Sequence, residues 1–481
     1  MIGSHFLLFA VLGVGCPPAA DPLPGLPLDV DFPPANPFLA DSPWPMSHSS
    51  PHSQGSSSRP GLSSASARVD FVEVGLPSIT LIPTAPYPDG SRVAWGSTPS
   101  EVYRLKLDDR LEIVDRMPSG GGLADLVGGA YTLLDSAGTF FTVGGSEVRG
   151  FGDVDPDDPD SSIEQRGTWT LPEADEDESL RGLGLTYDGV LVVVSSTGRV
   201  LALSRELTLL SEIQLDGEVS NSIAVDEQGG VYVVTSEAMH RVQWTGDALS
   251  VDPASGAWEA AYANGDGEPV PGRLGLGSGS TPSLMTVGGD RLVVITDAQP
   301  LMHLVLFWRD DVPAGWVPPE GSDVRVAGLQ PVTFGDPSAA TSVSEQSVLV
   351  LGDGAVVVNN DYGDLTGITP VLAGIAPPGI ERFSWDPESD VLSSTWFVGD
   401  LSCPNGIPSA SAATGLMHCV SKRGDTWTLE AIDWRTGEPR FYVPLGDENL
   451  RYNSAYSATE VGPDGSILTG TFTGAVWIRP E

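Results

Sequence analysis

One short segment carries four acidic side chains at the spacing of calcium ligands. In DVDPDDPDSSIE, positions 1, 3, 5 and 12 are held by Asp153, Asp155, Asp157 and Glu164. Carboxylates at these positions bind calcium in twelve-residue loops that are flanked by helices. Position 6 holds an aspartate where the tight turn requires glycine, and no helical pattern flanks the segment. The segment therefore predicts either a calcium site or a solvated acidic loop, and we favour the solvated loop.

Two cysteines, Cys403 and Cys419, enclose a small polar loop, PNGIPSASAATGLMH. In an oxidising compartment such a pair most simply forms a disulfide. On the loop-entropy model this bond stabilises the fold by roughly 3 kcal/mol. Two buried free thiols are the alternative.

The histidines and hydroxyl residues form no pattern of a nucleophilic enzyme. His240, His303 and His418 are dispersed, and no Gly-x-Ser-x-Gly turn, phosphate-binding glycine loop or Cys-x-x-Cys pair occurs. His240 and His303 lie in strand-like runs, which predicts packed or hydrogen-bonded side chains. His48 and His52 lie in a Ser- and Pro-rich tract, and we predict that they have no metal-binding role.

The first residues have the pattern of an export signal. Residues 6–15 are an apolar run that is too short to span a membrane, and small residues lead into Cys16. This resembles a bacterial lipobox, although Gly13 stands where Leu is expected and the preceding residues include no Lys or Arg. We predict a signal peptide over residues 1–16 and lipid attachment at Cys16. Residues 17–68 are Pro-rich and then Ser-rich without periodicity, which predicts a disordered linker.

The charge balance limits the classes of partner. The chain has 481 residues, with 24 basic and 64 acidic side chains, and a net charge of −40. Nucleic acid is not expected as a partner because no basic face is present to neutralise phosphates. Contact with a membrane is expected only through the N-terminal lipid. The acidic surface is explained by solubility or, as the alternative, by cation binding.

A repeated hairpin pattern predicts the fold class. In six segments a turn containing Asp, Gly or Pro joins two short hydrophobic strands; these are RGLGLTYDGVLVVV at 181, SIAVDEQGGVYVV at 222, SLMTVGGDRLVVI at 283, SVLVLGDGAVVV at 347, RFSWDPESDVLSS at 382 and ATEVGPDGSILTG at 458. Two weaker copies are PYPDGSRVAWGS at 86 and ADLVGGAYTLLDS at 124. Each unit is the first hairpin of a blade.

The repeat spacing predicts an all-β propeller of seven or eight four-stranded blades over residues 69–481. The last unit has room for only part of a blade. We therefore expect VDFVEVG, residues 69–75, to supply its outer strand and close the ring. A β-sandwich is the rival architecture, and the common register over the chain argues against it.

Short motifs resemble those of known propeller families. AIDWRTGEPRF at 431–441 is similar to quinoprotein-type repeats, and SNSIAVDEQGGVYVVTS is similar to lactonase-like and NHL-like repeats. In the quinoprotein pattern a Thr-Gly turn and an aromatic residue pack adjacent blades together, which implies this role for Thr436, Gly437 and Phe441. The resemblance covers most of 69–481 but specifies a fold and not an activity.

The same resemblance implies candidate sites in the channel. Lactonase-like enzymes hold a divalent ion with Glu and Asn side chains, and Asn221, Glu345, Gln346 and Asn405 stand at comparable places. Their oxygens suit calcium, but polar groups that cap strands and line a wet channel are the favoured explanation. Pyrroloquinoline quinone is not expected, because the adjacent cysteines common in quinone enzymes do not occur in this chain.

Together these observations predict an exported, lipid-anchored propeller that binds an envelope protein or glycan. A calcium-dependent, lactonase-like hydrolase or a quinoprotein-like oxidoreductase is the alternative. A binding module is favoured over an enzyme.

Overall fold

The computed structural model describes residues 25–120, 130–265, 275–363, 365, 369–403, 406–454 and 456–481. Eight small antiparallel sheets form the blades of a β-propeller, so the predicted fold class is confirmed with eight blades. Strands are numbered in chain order. The first two, β1 (Ser56–Ser57) and β2 (Ala67–Glu73), join the sheets of blades 7 and 8.

The other strands follow the chain blade by blade, from the inner to the outer strand. Blade 1 contains β3 Thr80–Pro83, β4 Val93–Ser97, β5 Glu101–Leu107 and β6 Leu111–Pro118, and blade 2 contains β7 Thr132–Leu134, β8 Phe140–Gly144, β9 Glu147–Asp153 and β10 Ile163–Thr170. Blade 3 contains β11 Leu180–Leu185, β12 Leu191–Ser195, β13 Arg199–Leu203 and β14 Leu209–Gln214. Blade 4 contains β15 Ala224–Val225, β16 Gly230–Val234, β17 Ala238–Trp244 and β18 Leu249–Ser250, with β19 Trp258–Ala261 also paired to β17.

Blades 5 to 8 have the same arrangement. Blade 5 contains β20 Ser283–Val287, β21 Asp290–Thr296, β22 His303–Trp308 and β23 Val326–Pro331, and blade 6 contains β24 Leu349–Leu351, β25 Gly354–Val358, β26 Pro378–Asp386 and β27 Val391–Ser402. Blade 7 contains β28 Ser409–Ser411, β29 Leu416–Arg423, β30 Thr426–Asp433 and β31 Pro439–Gly446. Blade 8 contains β32 Thr459–Val461, β33 Ile467–Gly470 and β34 Gly474–Pro480, with β2 as its outer strand. Short helices occur in the connections: α1 Thr369–Leu372, α2 Asn449–Tyr452, and the 3-10 turns Pro253–Ser255 and Pro463–Gly465.

The predicted hairpin turns use their polar residues as local caps. In the turn between β15 and β16, Asp226 Oδ1 accepts hydrogen bonds from the N–H of Gln228 (2.9 Å) and of Gly230 (2.7 Å). Gly229 adopts a left-handed φ of +82°, and a Cβ there would lie 2.6 Å from the carbonyl oxygen of Trp244. Only glycine fits this turn without displacing the backbone of β17.

Packing between neighbouring blades holds the ring together. Between blades 3 and 4, one cluster of fully buried valines includes Val192, Val194 and Val231. The ring closes where β2 pairs with β34 in antiparallel register, from Ala67 opposite Pro480 to Glu73 opposite Gly474. This closure confirms the predicted role of the segment at 69–75, and it gives blade 8 a full set of four strands.

The hairpin pattern contains two errors that cancel, so its upper count of eight blades agrees with the structure. RFSWDPESDVLSS forms the outer hairpin of blade 6, β26 with β27, and not the inner hairpin of a further blade. The inner strand of blade 7, Ser409–Ser411, carries no hydrophobic run, so the pattern does not predict it. In ADLVGGAYTLLDS, Thr132–Leu134 is the inner strand of blade 2, whereas the hairpin pattern predicts it as the second strand.

The antiparallel order gives the ring two distinct faces. The lower face carries the turns from first to second and from third to fourth strands. The upper face carries the connections from each outer strand to the next inner strand and the turns from second to third strands. Along each inner strand the chain therefore runs from the upper to the lower face.

The prediction of a disordered linker over residues 17–68 is wrong for its described part. Residues 36–62 form a hairpin-shaped segment inside the channel, hereafter the N-terminal hairpin, and most of its residues from Trp44 to Ser57 are buried. Its composition has no periodicity because it forms only local turns within itself, such as Gly55 N–H to His48 O (3.0 Å), and its extended parts bond to strands of the ring. The predicted signal peptide, 1–16, lies outside the described residues.

Candidate functional site

The N-terminal hairpin enters and leaves the channel through the lower face. Its first arm runs upward along blade 2, where Met46 and Leu133 form an antiparallel bridge. Its second arm runs downward, and β1 pairs in parallel with β28, with Ser56 opposite Ala410. The tip between the arms requires left-handed backbone at His48 (φ 61°), Ser49 (φ 76°) and Ser53 (φ 53°). The channel is thus filled by the chain's own residues.

Backbone hydrogen bonds join the N-terminal hairpin to the inner strands of five blades. The bonds run from Leu134 N–H to Pro45 O (2.8 Å), from Val225 N–H to Pro51 O (2.7 Å), from Leu284 N–H to His52 O (2.9 Å), from Val350 N–H to Gln54 O (2.8 Å) and from Ala410 N–H to Gly55 O (3.1 Å). Inner strands would otherwise expose unpaired N–H groups in the channel. The hairpin therefore satisfies the backbone of the ring, and small side chains allow it to approach closely.

Three histidines lie where the N-terminal hairpin meets the ring. His48 Nε2 is 3.4 Å from Ser347 Oγ, and His52 Nε2 is 3.2 Å from Glu227 Oε2. On the ring side, His418 Nε2 donates to Leu62 O at 2.8 Å. Burial lowers the pKa of His48 and of His418 to about 4, and it also lowers the pKa of His52. All three rings are held neutral at pH 7. His48 and His52 are buried inside the channel, and the prediction that they have no metal-binding role stays a prediction.

On the upper face, the predicted residues Asn221 and Glu345 lie on the rim of the channel. Asn221 Nδ2 donates to Ser278 O (3.3 Å), and Tyr131 Oη donates to Asn221 Oδ1 (3.3 Å). Gly279, the next residue after Ser278, passes so close to Glu345 that a Cβ on the glycine would lie 2.6 Å from Glu345 Oε1. The structure therefore brings these two sequence-predicted residues to either side of one short segment.

Tyrosines complete this part of the rim. Burial raises the pKa of Tyr131, and burial raises the pKa of Tyr456 to about 12, with a contribution from the charge of Glu345 in both cases. Tyr456 also has a left-handed φ of 69°, which is an uncommon backbone state for an aromatic residue. The Tyr131 ring lies 6.0 Å from the imidazole of His48 in a tilted arrangement, so the rim contacts the tip of the N-terminal hairpin. No sequence motif marked these tyrosines.

The acidic segment 153–164 is arranged differently from a calcium loop. Asp153 is buried and pairs with Arg104, whose Nε lies 2.9 Å from Asp153 Oδ1. Asp155 Oδ1 accepts from the N–H of Asp157 at 3.1 Å, and Glu164 pairs with an arginine on its own strand. Among the residues that the structure describes, no three His, Cys, Asp or Glu side chains converge as metal ligands. Calcium binding here stays a prediction.

The predicted disulfide is formed and joins two blades. Cys403 follows the outer strand of blade 6, and Cys419 lies on the second strand of blade 7, with their Cα atoms 5.7 Å apart. Both residues are fully buried. The bond therefore crosses from one blade to the next, and the loop that it closes contains the inner strand Ser409–Ser411.

The Thr-Gly turn and its aromatic residue contact the blades on both sides. Thr436 Oγ1 donates to Asp433 Oδ1 (3.2 Å) in the turn, and a Cβ on Gly437 would lie 2.7 Å from the indole of Trp396 in blade 6. Phe441 packs in a cluster with Ile467 and other residues of blade 8.

Two of the predicted positions cannot be placed on this framework. Cys16, predicted to carry a lipid, and Asn405, predicted to lie near an ion, are outside the described residues. Within the described ranges, no helix is long and apolar enough to cross a membrane.

Comparison with known proteins gives one close relative and several distant folds. No family model matches the chain. A protein of Archaeoglobus fulgidus, described as uncharacterized, is 40% identical over 465 residues, covering 92% of this chain and 88% of the relative. Similar solved structures include BamB from Moraxella catarrhalis, which is 10% identical with a TM-score of 0.49 and covers 85% of this chain and 95% of that one. Streptogramin B lyase is 9% identical with a TM-score of 0.42, covering 87% of this chain and 100% of that one. The C-terminal WD40 domain of Sif2 is 10% identical with a TM-score of 0.48, covering 85% of this chain and 98% of that one. Likenesses this distant carry no argument about function.

Proposed function

This chain belongs to one family with the Archaeoglobus fulgidus protein, and we propose that it is an exported, lipid-anchored propeller whose upper face binds an envelope protein or glycan. In this proposal Cys16 carries the lipid, and the ring is a rigid frame that presents loops to the partner. The predicted calcium-dependent hydrolase is the second candidate.

One observation carries the proposal: the channel is filled by the N-terminal hairpin. Five inner strands donate backbone N–H groups to this segment, and its histidines and most of its serines at the tip are buried among them. A macromolecular partner would therefore meet the loops of a face and not the interior of the ring. Loops on a rigid scaffold are where proteins commonly place their binding residues.

The course of the N-terminal residues favours the upper face as the binding face. At the lower face, Leu28 N–H donates to Ala412 O (2.8 Å), and Arg435 Nη1 donates to Leu26 O (3.0 Å). Gly25 lies nine residues after Cys16. A chain of that length spans at most about 30 Å. A lipid at Cys16 would hold the lower face close to the membrane and leave the upper face directed away from it.

The upper face also exposes a paired apolar feature. The short helices α1 and α2 lie side by side, because Asn449 Nδ2 donates to Val371 O at 2.9 Å. Leu372 is 52% exposed and Leu450 is 38% exposed on these two helices. Exposed leucines on adjacent loop helices are suited to contact with a protein partner.

The anchoring part of the proposal is tested by mass spectrometry of the mature N-terminus and by cell fractionation. We expect the wild-type protein to carry diacyl- or triacylglyceryl-cysteine at position 16 and to partition with membranes. Cys16→Ser should remain soluble after export. An unmodified Cys16, or a C16S variant that still partitions with membranes, contradicts lipid anchoring.

The binding part is tested by placing a photo-crosslinking amino acid at Leu372 and, as a matched control, at Leu210. Leu210 is also an exposed leucine (46%), but it lies on the outer strand of blade 3. We expect a discrete crosslinked product from position 372 and none from position 210. Equal labelling at both positions, or labelling at neither, contradicts a specific upper-face partner.

The second candidate is favoured by the meeting of Asn221, Glu345 and Tyr131 at one rim. If this rim holds calcium, the melting temperature should rise by several degrees and saturate as calcium is added. Glu345→Gln should abolish that rise. Hydrolysis of lactones and esters would then be assayed with the same pair of proteins.

A further inference from the structure

We propose that mild acid releases the N-terminal hairpin from the channel and opens the ring along its axis. This inference is independent of lipid attachment and of the upper-face partner. It rests on the geometry of the hairpin and on the position of its histidines.

The geometry of the N-terminal hairpin allows release without threading. Both arms leave through the lower face, so the segment can withdraw in one direction while β2 stays paired with β34. Between the arms is a cavity of about 410 Å³, lined by residues of the hairpin and of the segment before it, such as Pro34, Ser42 and Ser57. The hairpin is therefore not packed closely along its whole length. Its tip also holds three non-glycine residues in left-handed backbone, which the free segment would relax.

The histidines provide the pH dependence. Three of the six histidines in the chain, His48, His52 and His418, lie at the contact between the N-terminal hairpin and the ring. In the docked state their rings are neutral, with pKa values lowered by burial, to about 4 for His48 and His418. In the released segment His48 and His52 would titrate near the ordinary value of about 6.5. His418 lies on β29 of the ring, and release would remove the Gly61 and Leu62 backbone that covers its imidazole.

The sign of the effect follows from proton counting. Between pH 6.5 and about 4 the released state binds protons at His48 and His418 and the docked state does not. Falling pH therefore favours release, and rising pH above 6.5 has no further effect through these groups. Each histidine contributes up to about a tenfold change in the docking equilibrium per pH unit. His48 and His418 acting together would change it by up to about 100-fold per unit.

The charged groups around each ring differ. His52 faces Glu227, which also pairs with Arg291 (2.9 Å), while Asp226 and Arg309 act on it more weakly. The carboxylate of Glu227 favours protonation of His52 while the hairpin is docked, so this ring contributes least to release by acid. His48 faces the Tyr131 ring and the Ser347 hydroxyl, and His418 faces the Leu62 carbonyl. Burial of these last two is not offset by a carboxylate among the described contacts, so they contribute most of the effect.

The experiment is hydrogen exchange of the full chain, read by mass spectrometry from pH 7.5 to pH 4.5 and corrected for intrinsic exchange. We expect protection of residues 46–57 to fall at least tenfold per pH unit below pH 6. Protection of β12 in blade 3 should not change over the same range. Loss of protection in both regions at one pH would mean global acid unfolding and would overturn the proposal. Full protection of residues 46–57 at pH 4.5 would overturn it too.

Variants assign the effect to the histidines. The double variant His48→Gln with His418→Gln lacks two titrating rings. For each pH unit, we expect the change in hairpin exchange to be about 100-fold smaller in this variant than in the wild-type protein. His240→Gln is the matched control, because His240 is also buried but lies on β17, away from the N-terminal hairpin. This control should leave the pH dependence unchanged.

A second measurement uses the wild-type chain, so it does not depend on whether the variants fold. NMR of the protein labelled with ¹³C-histidine reports the titration of each ring. We expect the resonances of His48 and His418 to show no protonation until the hairpin exchanges. Rings that protonate near pH 6.5 while residues 46–57 stay protected would overturn the proposal.

Discussion

Arg104 Nε lies 2.9 Å from Asp153 Oδ1, inside the contact between blades 1 and 2. Arg104 is fully buried, and its Nη2 also donates to Tyr87 Oη at 2.8 Å. The carboxylate that the sequence marked as the first calcium ligand is therefore part of a buried ion pair. Its acidic neighbours Asp155 and Asp157 lie at the surface, so one segment combines a structural carboxylate with solvated ones.

Removal of the arginine should be costly because it leaves Asp153 buried without its cation. We expect Arg104→Met to lower the free energy of unfolding by about 3–5 kcal/mol in urea denaturation. Lys106→Ala is the control, since Lys106 pairs with the exposed Asp160 (2.8 Å) and such surface pairs contribute about 0–1 kcal/mol. Equal losses in the two variants would show that the buried pair contributes no special stability.

The disulfide should matter because it joins blades 6 and 7 beside a weak inner strand. We expect Cys403→Ala combined with Cys419→Ala to lower the free energy of unfolding by about 3 kcal/mol. Urea denaturation with and without a reductant measures this. The reductant should bring the wild-type protein to the stability of the double variant and leave the variant unchanged. A wild-type protein that is insensitive to the reductant in the unfolding transition would contradict the prediction.

The sequence identified the blades wherever a buried inner hairpin is hydrophobic. The run at 189–194 and the turn at Asp226 are examples, because β-branched residues and a capped glycine turn are local signals. The inner strand Ser409–Ser411 could not be found in this way. Its serines and alanine are selected by close approach to β1 in the channel, which is a partner more than 350 residues away in the chain.

The candidate site was predictable only in part for the same reason. Asn221 and Glu345 precede inner strands, and this local position was enough to place both on the rim. Tyr131 and His48 meet only through the course of the N-terminal hairpin, and composition alone indicated disorder for that segment. Low-complexity composition cannot show that a segment is ordered when the strands it pairs with are distant in the chain.

Gly437 should tolerate no side chain, because two constraints act on it together. Its φ of +73° disfavours other residues, and a Cβ would lie 2.7 Å from the indole of Trp396. Gly424 has a similar φ of +60° with no atom within 4 Å of the added Cβ. We expect Gly424→Ala to cost about 1 kcal/mol from backbone strain alone and Gly437→Ala to cost about 1–3 kcal/mol more. Thermal and urea denaturation of both variants measure the difference, and equal losses would exclude a role for the Trp396 contact.

Glu460 should make the protein less stable as pH rises. The residue is fully buried on β32, and both its carboxyl oxygens lie within 3.1 Å of the Leu81 nitrogen. Burial raises the pKa of Glu460 well above its usual range, although the Leu81 N–H opposes that rise. Above pH 4.5 the unfolded chain loses this proton while the folded chain keeps it. Stability contributed by the neutral carboxyl is therefore present below pH 4.5 and is lost as pH rises towards the folded pKa.

The measurement is the difference in unfolding free energy between the wild-type protein and Glu460→Gln, taken by urea denaturation at pH 5, 6 and 7. Glutamine does not ionise, so we expect the variant to gain on the wild type by up to about 1.4 kcal/mol per pH unit. Glu112→Gln, at an exposed position on β6, should show no such trend. A constant difference between E460Q and wild type across this range would mean that Glu460 is already ionised in the folded protein. The buried carboxylate would then be stabilised by Leu81 N–H and its surroundings, and the interface between blades 8 and 1 would be more polar than its burial indicates.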